Sequence, residues 1–189
     1  MYRNSKEKEN KNNDNMSREK QKSVYILGDS MVKKVNGYFM TKNLRHKYLV
    51  KVRSYPKAKV SCMTDHVKPT IREEIPDNII LHAGTNELRS EKTSSQIAKS
   101  IIDLAMSIKN DVTSVIVSSI VPRFDEFNNK ANEVNNRLVH MCRERDIPFI
   151  SHTETIDPNK HLNESKLHLN FNGLKIFAEN FSTFLSEFD

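Results

Sequence analysis

Short apolar segments alternate along this chain with longer amphipathic ones, and this alternation limits the available folds more than any other feature. The apolar segments, which we predict to be strands, span residues 24–27, 48–52, 78–82, 114–120 and 147–151. Continuous apolar runs of this length are typical of parallel strands that are buried on both faces. The amphipathic segments predict helices over residues 32–42, 64–74 and 129–145, and from 171 onward. A further helix has its apolar positions between 97 and 108, with Thr93 or Ser94 as its cap. The pattern therefore predicts an α/β fold, in which helices cover both faces of an open five-stranded parallel sheet.

Polar turns follow the first and third predicted strands. Gly28, Asp29 and Ser30 follow the first, and a turn that ends in Asn86 follows the third. In open parallel sheets, ligands bind beyond the carboxyl ends of the strands, so both turns are expected at one rim. A serine on a sharp strand-to-helix turn presents its hydroxyl above the sheet, as a nucleophile requires. The alternative is that Gly-Asp-Ser is turn chemistry alone, because all three residues favour turns.

Two further side chains complete a possible acyl-transfer site. His168 lies in the loop before the last predicted helix, where it can reach the same rim. A histidine there can take the hydroxyl proton of Ser30, and Asn86 can donate to an oxyanion. Taken singly, Asn86 can be a turn or capping residue and His168 a surface residue. Together with Ser30 they predict nucleophilic catalysis.

The first 22 residues differ in composition from the rest. They hold seven Lys and Arg residues against four Asp and Glu, and very few apolar ones. Such a segment cannot bury enough surface to offset its ordering entropy, so we expect a disordered tail over 1–22 and one domain over 23–189. The tail predicts at most weak contact with nucleic acid, because its charges are of both signs.

Other classes of protein fit the sequence poorly. No apolar run is long enough to cross a membrane and no signal peptide is evident, which predicts an intracellular, cytoplasmic protein. The two cysteines, Cys62 and Cys142, are expected to be reduced thiols. No zinc motif or glycine-rich phosphate loop is present, so we expect no metal and no cofactor.

Three segments resemble the motif blocks of the SGNH hydrolases, also called the GDSL esterase and acylhydrolase superfamily. They read GDSMV at 28–32, HAGTNEL at 82–88 and KLHLNFNG at 166–173. With IVPRF at 120–124, the segments look most like platelet-activating-factor acetylhydrolase-like proteins and the esterase domains of some retrotransposons. The resemblance implies a flavodoxin-like three-layer α/β/α sandwich.

The resemblance also assigns roles to residues. It implies that Ser30 is the nucleophile, His168 the base, and that Ser30, Asn86 and Lys57 form the oxyanion hole, with Lys57 where the family has a glycine. The family places an aspartate three residues before the histidine, whereas this chain has Ser165. Asp29 and Ser165 are therefore the candidate orienting residues, and we expect a Ser30–His168 dyad.

The sequence thus predicts an SGNH-type esterase that removes short acyl groups, such as acetyl, from a small-molecule or acylated ester. The alternative is a catalytically lapsed SGNH domain that serves as an interaction or RNA-associated module of a retrotransposon-type protein. The sequence leaves open which acyl group and alcohol the substrate carries, the oligomeric state, and whether the chain is part of a longer polyprotein.

Overall fold

The computed structural model describes residues 21–110 and 112–188 and contains one five-stranded sheet. Its strands are β1 (Lys22–Gly28), β2 (Tyr48–Ser54), β3 (Asn78–His82), β4 (Ser114–Ser118) and β5 (Phe149–Ile150). All four neighbouring pairs are parallel, and the strand order is β2-β1-β3-β4-β5. The predicted α/β fold with a five-stranded parallel sheet is confirmed.

Six α-helices connect and cover the strands within the described residues. They are α1 (Gly37–Asn43), α2 (Val60–Glu73), α3 (Ser94–Ile108), α4 (Asn128–Arg143), α5 (Pro158–His161) and α6 (Phe171–Glu187). Two 3-10 turns, Ser30–Lys34 and Thr85–Arg89, follow β1 and β3 at the carboxyl rim of the sheet.

Alternation along the strands divides the core into two layers. In β1, Tyr25 and Leu27 pack with α2, α3 and α4 on one face. Val24 and Ile26 pack with α1 and α6 on the other face. Since helices cover both faces of the sheet, the side chains on both faces of each strand are buried. This is why the strands are continuous apolar runs in the sequence.

Two predicted helices have different bounds in the structure. The predicted helix 32–42 is a 3-10 turn and α1, separated by Val35 in extended conformation and by Asn36, whose side chain accepts from the N–H of Phe39. Helix α2 begins at Val60, four residues before the predicted start, because the carboxylate of Glu87 accepts the N–H of Val60. The Asn36 cap is a local signal that an amphipathic pattern does not register, whereas the contact of Glu87 joins residues 27 positions apart.

β1 begins at Lys22, so the last residue of the predicted tail belongs to the sheet. The predicted disorder and nucleic-acid contact of the tail fall largely on residues 1–20, which lie outside the described residues.

Among the helices of the described ranges, none combines the length and apolarity that crossing a membrane requires. Cys142 is buried and Cys62 is exposed, and both are free thiols.

A chain of buried polar side chains crosses the layer between the sheet and α6. His82 Nδ1 lies 3.0 Å from Ser118 Oγ, which lies 2.8 Å from His152 Nε2. Asn180 Nδ2 donates to His152 Nδ1 at 2.9 Å. Phe177 packs edge-on against His82, with ring centroids 5.1 Å apart.

These contacts fix the proton positions in the chain. Because Asn180 donates to Nδ1 of His152, the proton of neutral His152 is on Nε2, from which it is donated to Ser118. Ser118 in turn donates its hydroxyl proton to Nδ1 of His82. Burial lowers the pKa of His82 to about 3, and burial together with the nearby His82 lowers the pKa of His152 well below its ordinary value.

Protonation of His82 should therefore oppose folding in acid. Unfolded His82 takes up a proton below about pH 6.5, whereas the folded ring stays neutral. We expect the stability advantage of the wild type over His82→Gln to shrink by about 1.4 kcal/mol per pH unit below pH 6.5, since the variant lacks this group. Urea unfolding between pH 7.5 and 5 measures it.

A matched variant separates titration from lost hydrogen bonding. Ser118→Ala breaks the same chain but leaves His82 buried, so its stability deficit should stay nearly constant with pH. If the loss of unfolding free energy in His82→Gln is also constant between pH 7.5 and 5, the buried neutral state of His82 is contradicted.

Candidate active site

The turn after β1 holds Ser30 at the carboxyl rim. Asp29 is fully buried, and its Oδ1 accepts from the N–H of Met31 at 2.9 Å. This contact caps the 3-10 turn that begins at Ser30. Asp29 thus orients the turn that carries the serine, and Ser30 remains half-buried at the surface.

Gly28 lets three strand ends meet behind Ser30. A side-chain Cβ at Gly28 would lie 2.6 Å from the carbonyl oxygen of His82, closer than real contacts allow. The N–H of Asp29 donates to the same His82 carbonyl at 3.3 Å, and the N–H of Tyr55 donates to Gly28 at 2.7 Å. The loops after β1, β2 and β3 are therefore fixed to one another by backbone contacts.

The structure brings Ser30 and His168 together. Ser30 Oγ lies 3.2 Å from His168 Nε2, although the two residues are 138 positions apart. When Nε2 carries no proton, the hydroxyl donates to it, which is the geometry of a nucleophile and its base.

Local hydrogen bonds hold the loop that carries His168. Leu162 and Leu169 form an antiparallel bridge, and the N–H of Asn163 donates to the carbonyl of His168 at 2.8 Å. The N–H of Phe124 donates to the carbonyl of Lys166 at 3.3 Å, and this joins the loop to the segment after β4. The loop is thus positioned from both sides.

Ser165 contacts the backbone of this loop. Its hydroxyl donates to Asn163 Oδ1 at 2.5 Å and lies 3.4 Å from the N–H of His168. In the described part of the chain, the ring nitrogen Nδ1 of His168 has no hydrogen-bond partner. The role of Ser165 in orienting the ring stays a prediction.

Two backbone N–H groups at the rim are free to bind an anion. Lys57 has a φ of 65°, in the left-handed region that favours glycine. This conformation costs a residue with a side chain about 1 kcal/mol. Over residues 21–110 and 112–188, no protein acceptor engages the N–H of Ser30 or of Lys57.

Asn86 contacts the loop that contains Lys57. Its Nδ2 donates to the carbonyl of Ala58 at 2.9 Å, which ties the turn after β3 to the loop that contains Lys57. An amide nitrogen carries two protons, so the second remains for a ligand.

Two buried carboxyl groups lie behind the rim. Burial raises the pKa of Asp29 to about 6; the nearby Glu87 adds to the rise, and the Met31 hydrogen bond opposes it. The polar groups of Thr85 also lower the pKa of Asp29. Asp29 Oδ2 nevertheless has no hydrogen-bond partner of good geometry among the described residues. Burial likewise raises the pKa of Glu87.

The importance of Glu87 was missed by the sequence analysis. Its carboxylate accepts at the start of α2 from inside the HAGTNEL segment, so it fixes the position of α2 behind the rim. A charged residue in a short polar turn is ordinarily solvent-exposed, and no local signal distinguishes it.

Known proteins are similar to this chain in structure. A GDSL-like lipase from Bacteroides thetaiotaomicron superposes with a TM-score of 0.72 at 17% identity, covering 89% of each chain. The lipase/acylhydrolase from Enterococcus faecalis gives 0.75 at 13% identity, covering 88% of this chain and 96% of that one. An acetyl xylan esterase gives 0.72 at 15% identity, covering 86% and 99%.

Comparisons of sequence give no such match. No protein-family model matches the chain, and no curated protein sequence matches it. At identities this low, the structural similarity establishes the architecture alone. The chain has the fold of these GDSL-like lipases and acylhydrolases, which is the fold that the motif resemblance implied.

Proposed function

We propose that this protein is a serine-dependent carboxylic-ester hydrolase that removes short acyl groups, such as acetyl. The observation that carries the proposal is the 3.2 Å separation of Ser30 Oγ from His168 Nε2 at the carboxyl rim. The free N–H groups of Ser30 and Lys57 support it, because acyl transfer needs donors where the carbonyl oxygen becomes negative.

In the proposed first step, Ser30 Oγ attacks the ester carbonyl carbon while His168 Nε2 takes the hydroxyl proton. The negative charge on the former carbonyl oxygen is stabilised by the N–H groups of Ser30 and Lys57 and by Asn86 Nδ2. When this intermediate collapses, the bond to the alcohol oxygen breaks. His168 returns the proton to that oxygen, and an acyl-serine remains.

In the second step, water hydrolyses the acyl-serine. His168 Nε2 removes a proton from the water as its oxygen attacks the acyl carbon, and the same donors bind the second oxyanion. Collapse breaks the bond to Ser30 Oγ, which regains its proton from His168. The acid is released and the site returns to its starting state.

The similar solved structures agree with this reaction class. They include a GDSL-like lipase, acylhydrolases and an acetyl xylan esterase. Acetyl is therefore a suitable first acyl group to test, and the proposed substrates are small-molecule esters.

The nucleophile is tested by hydrolysis of p-nitrophenyl acetate. Ser30→Ala should lower kcat/KM by about 10³-fold or more, because it removes the nucleophile. His168→Gln should lower it by about 100-fold or more, since it removes general-base catalysis. A fluorophosphonate probe should label the wild type and not Ser30→Ala.

Ser61→Ala serves as the matched control, because Ser61 is an exposed serine on α2 whose hydroxyl lies outside the proposed site. It should retain wild-type hydrolysis and labelling. Equal rates for the wild type and Ser30→Ala would contradict the proposal.

Ser165 offers a second test, because it occupies the position of the aspartate in the family motif. A carboxylate there can accept the Nδ1 proton of His168 and stabilise the imidazolium that forms during attack. We expect Ser165→Asp to raise kcat by about tenfold or more, since loss of the orienting aspartate in serine proteases costs about 10⁴. Steady-state hydrolysis of p-nitrophenyl acetate measures the change.

The gain should require both the charge and the nucleophile. Ser165→Asn, which is nearly isosteric and uncharged, should give no comparable increase. Ser165→Asp combined with Ser30→Ala should be inactive. An unchanged kcat for Ser165→Asp would show that the ring of His168 is not limited by its orientation.

The hydrogen bonding of Ser165 favours one alternative. Its hydroxyl donates to Asn163, and the Nδ1 atom of His168 lacks a partner among the described residues. An unoriented His168 would be a poor base, so the alternative is a domain that has lost catalysis and serves as an interaction module. Folded wild-type protein that neither hydrolyses the ester nor reacts with the fluorophosphonate would support that alternative.

A further inference from the structure

The loops on the β1 and β2 side of the rim have an unusual charge composition. Between Asp29 and Asp65 the chain has nine Lys and Arg residues and no Asp or Glu. Five of these cations lie at the carboxyl ends of β1 and β2 or in the turns that follow them. Lys59 interacts electrostatically with the buried Glu87, and we call the other four the cationic rim: Lys33, Lys34, Arg53 and Lys57. All four are exposed.

The backbone places the cationic rim beside Ser30. Lys33 and Lys34 lie in the 3-10 turn that begins at Ser30. Arg53 pairs in register with Leu27, immediately before the end of β1. The cations therefore follow the two adjacent strand ends that carry the proposed nucleophile and oxyanion hole.

Lys57 lies in a loop that is tied to both strand ends of the proposed site. The residues on either side of it are anchored there: the N–H of Tyr55 donates to Gly28 at 2.7 Å, and the carbonyl of Ala58 accepts from Asn86 at 2.9 Å. Lys57 itself has a φ of 65°, so the chain places a cationic side chain at a position where glycine would be unstrained.

The acidic residues of the rim in the described ranges form no ion pair with these cations. Asp29 and Glu87 are buried, and Asp125 is paired with Arg123. Glu126 and Glu164 lie in the loops after β4 and before α6, on the opposite side of the rim. No ion pair in the described ranges involves a member of the cationic rim.

We infer that the site selects esters that carry an anionic group, a carboxylate or a phosphate, close to the scissile bond, with Lys57 as the main specificity determinant. This inference rests on the proposed hydrolase function. The Lys57 ammonium belongs to the residue whose N–H is a proposed oxyanion donor, so it can attract an anionic group of the bound ester, and the remaining cations raise the local concentration of such esters.

A matched pair of substrates tests the selection. 4-Acetoxybenzoate and its methyl ester carry the same acetyl group on a similar phenol, but only the first is anionic. Because the para carboxylate cannot reach the ester, it cannot assist hydrolysis itself. The measurement is kcat/KM for each substrate after subtraction of the uncatalysed rate, expressed as the ratio of the anionic to the neutral substrate.

The variants separate the cation from the backbone. Lys57→Gly keeps an N–H and removes the charge, and it should lower the ratio by about tenfold, mainly through a higher KM for the anionic ester. Lys57→Arg, which keeps a cation, should retain most of the preference. Raising the salt from about 50 mM to 500 mM should lower the wild-type ratio, and it should lower the Lys57→Gly ratio by a smaller factor, because only the other cations remain.

Lys42→Ala is the control for net charge. Lys42 is an exposed lysine of the same acid-free segment, but it lies in the last turn of α1, toward the opposite edge of the sheet. This variant should retain the wild-type ratio. An equal fall in the ratio of anionic to neutral ester hydrolysis for Lys42→Ala and Lys57→Gly would show that only net charge matters, and it would overturn the inference.

The two proposals fail in different ways. If both esters are hydrolysed in a Ser30-dependent manner but Lys57→Gly leaves the ratio unchanged, the hydrolase function stands and the anion selection is wrong. If neither ester is hydrolysed, the hydrolase function fails, and the substrate inference fails with it.

Discussion

The close backbone approach at Gly28 is the constraint on which the rest of the site depends. The β1 end has no room for a side chain there, because the carbonyl of His82 occupies the space of a Cβ. Backbone hydrogen bonds from Asp29 and Tyr55 then fix the ends of β1, β2 and β3 to each other. Ser30, Lys57 and Asn86 take their positions from these strand ends, so the proposed nucleophile and its anion donors form one rigid unit.

Much of this arrangement follows from local sequence. Continuous apolar runs predicted the parallel strands, and the sheet then required the loops after β1 and β3 to open on one rim. The 3.2 Å separation between Ser30 and His168 is in line with that topology. Lys57 stands where the family motif has a glycine, and the structure gives it a φ of 65°, which a glycine would adopt without strain.

Other features depend on contacts between distant segments and could not be read from any single one. The start of α2 at Val60 requires a carboxylate that lies 27 residues later, in the turn after β3. The histidine chain joins β3, β4 and α6 through side chains whose partners are chosen by packing. The hydroxyl of Ser165 is within reach of several acceptors, and its choice of Asn163 depends on the detailed course of the loop.

The loop that carries His168 is built by different means from the rest of the rim. Its bridge between Leu162 and Leu169, and the contacts of Asn163 and Ser165, all fall within eight consecutive residues. Leu162 and Leu169 pack in the core on the α6 side of the sheet, but the sheet makes no demand on the identity of Asn163 or Ser165. A few substitutions in this one short segment can therefore create or remove the general base, while the strand ends that hold the serine keep their structure.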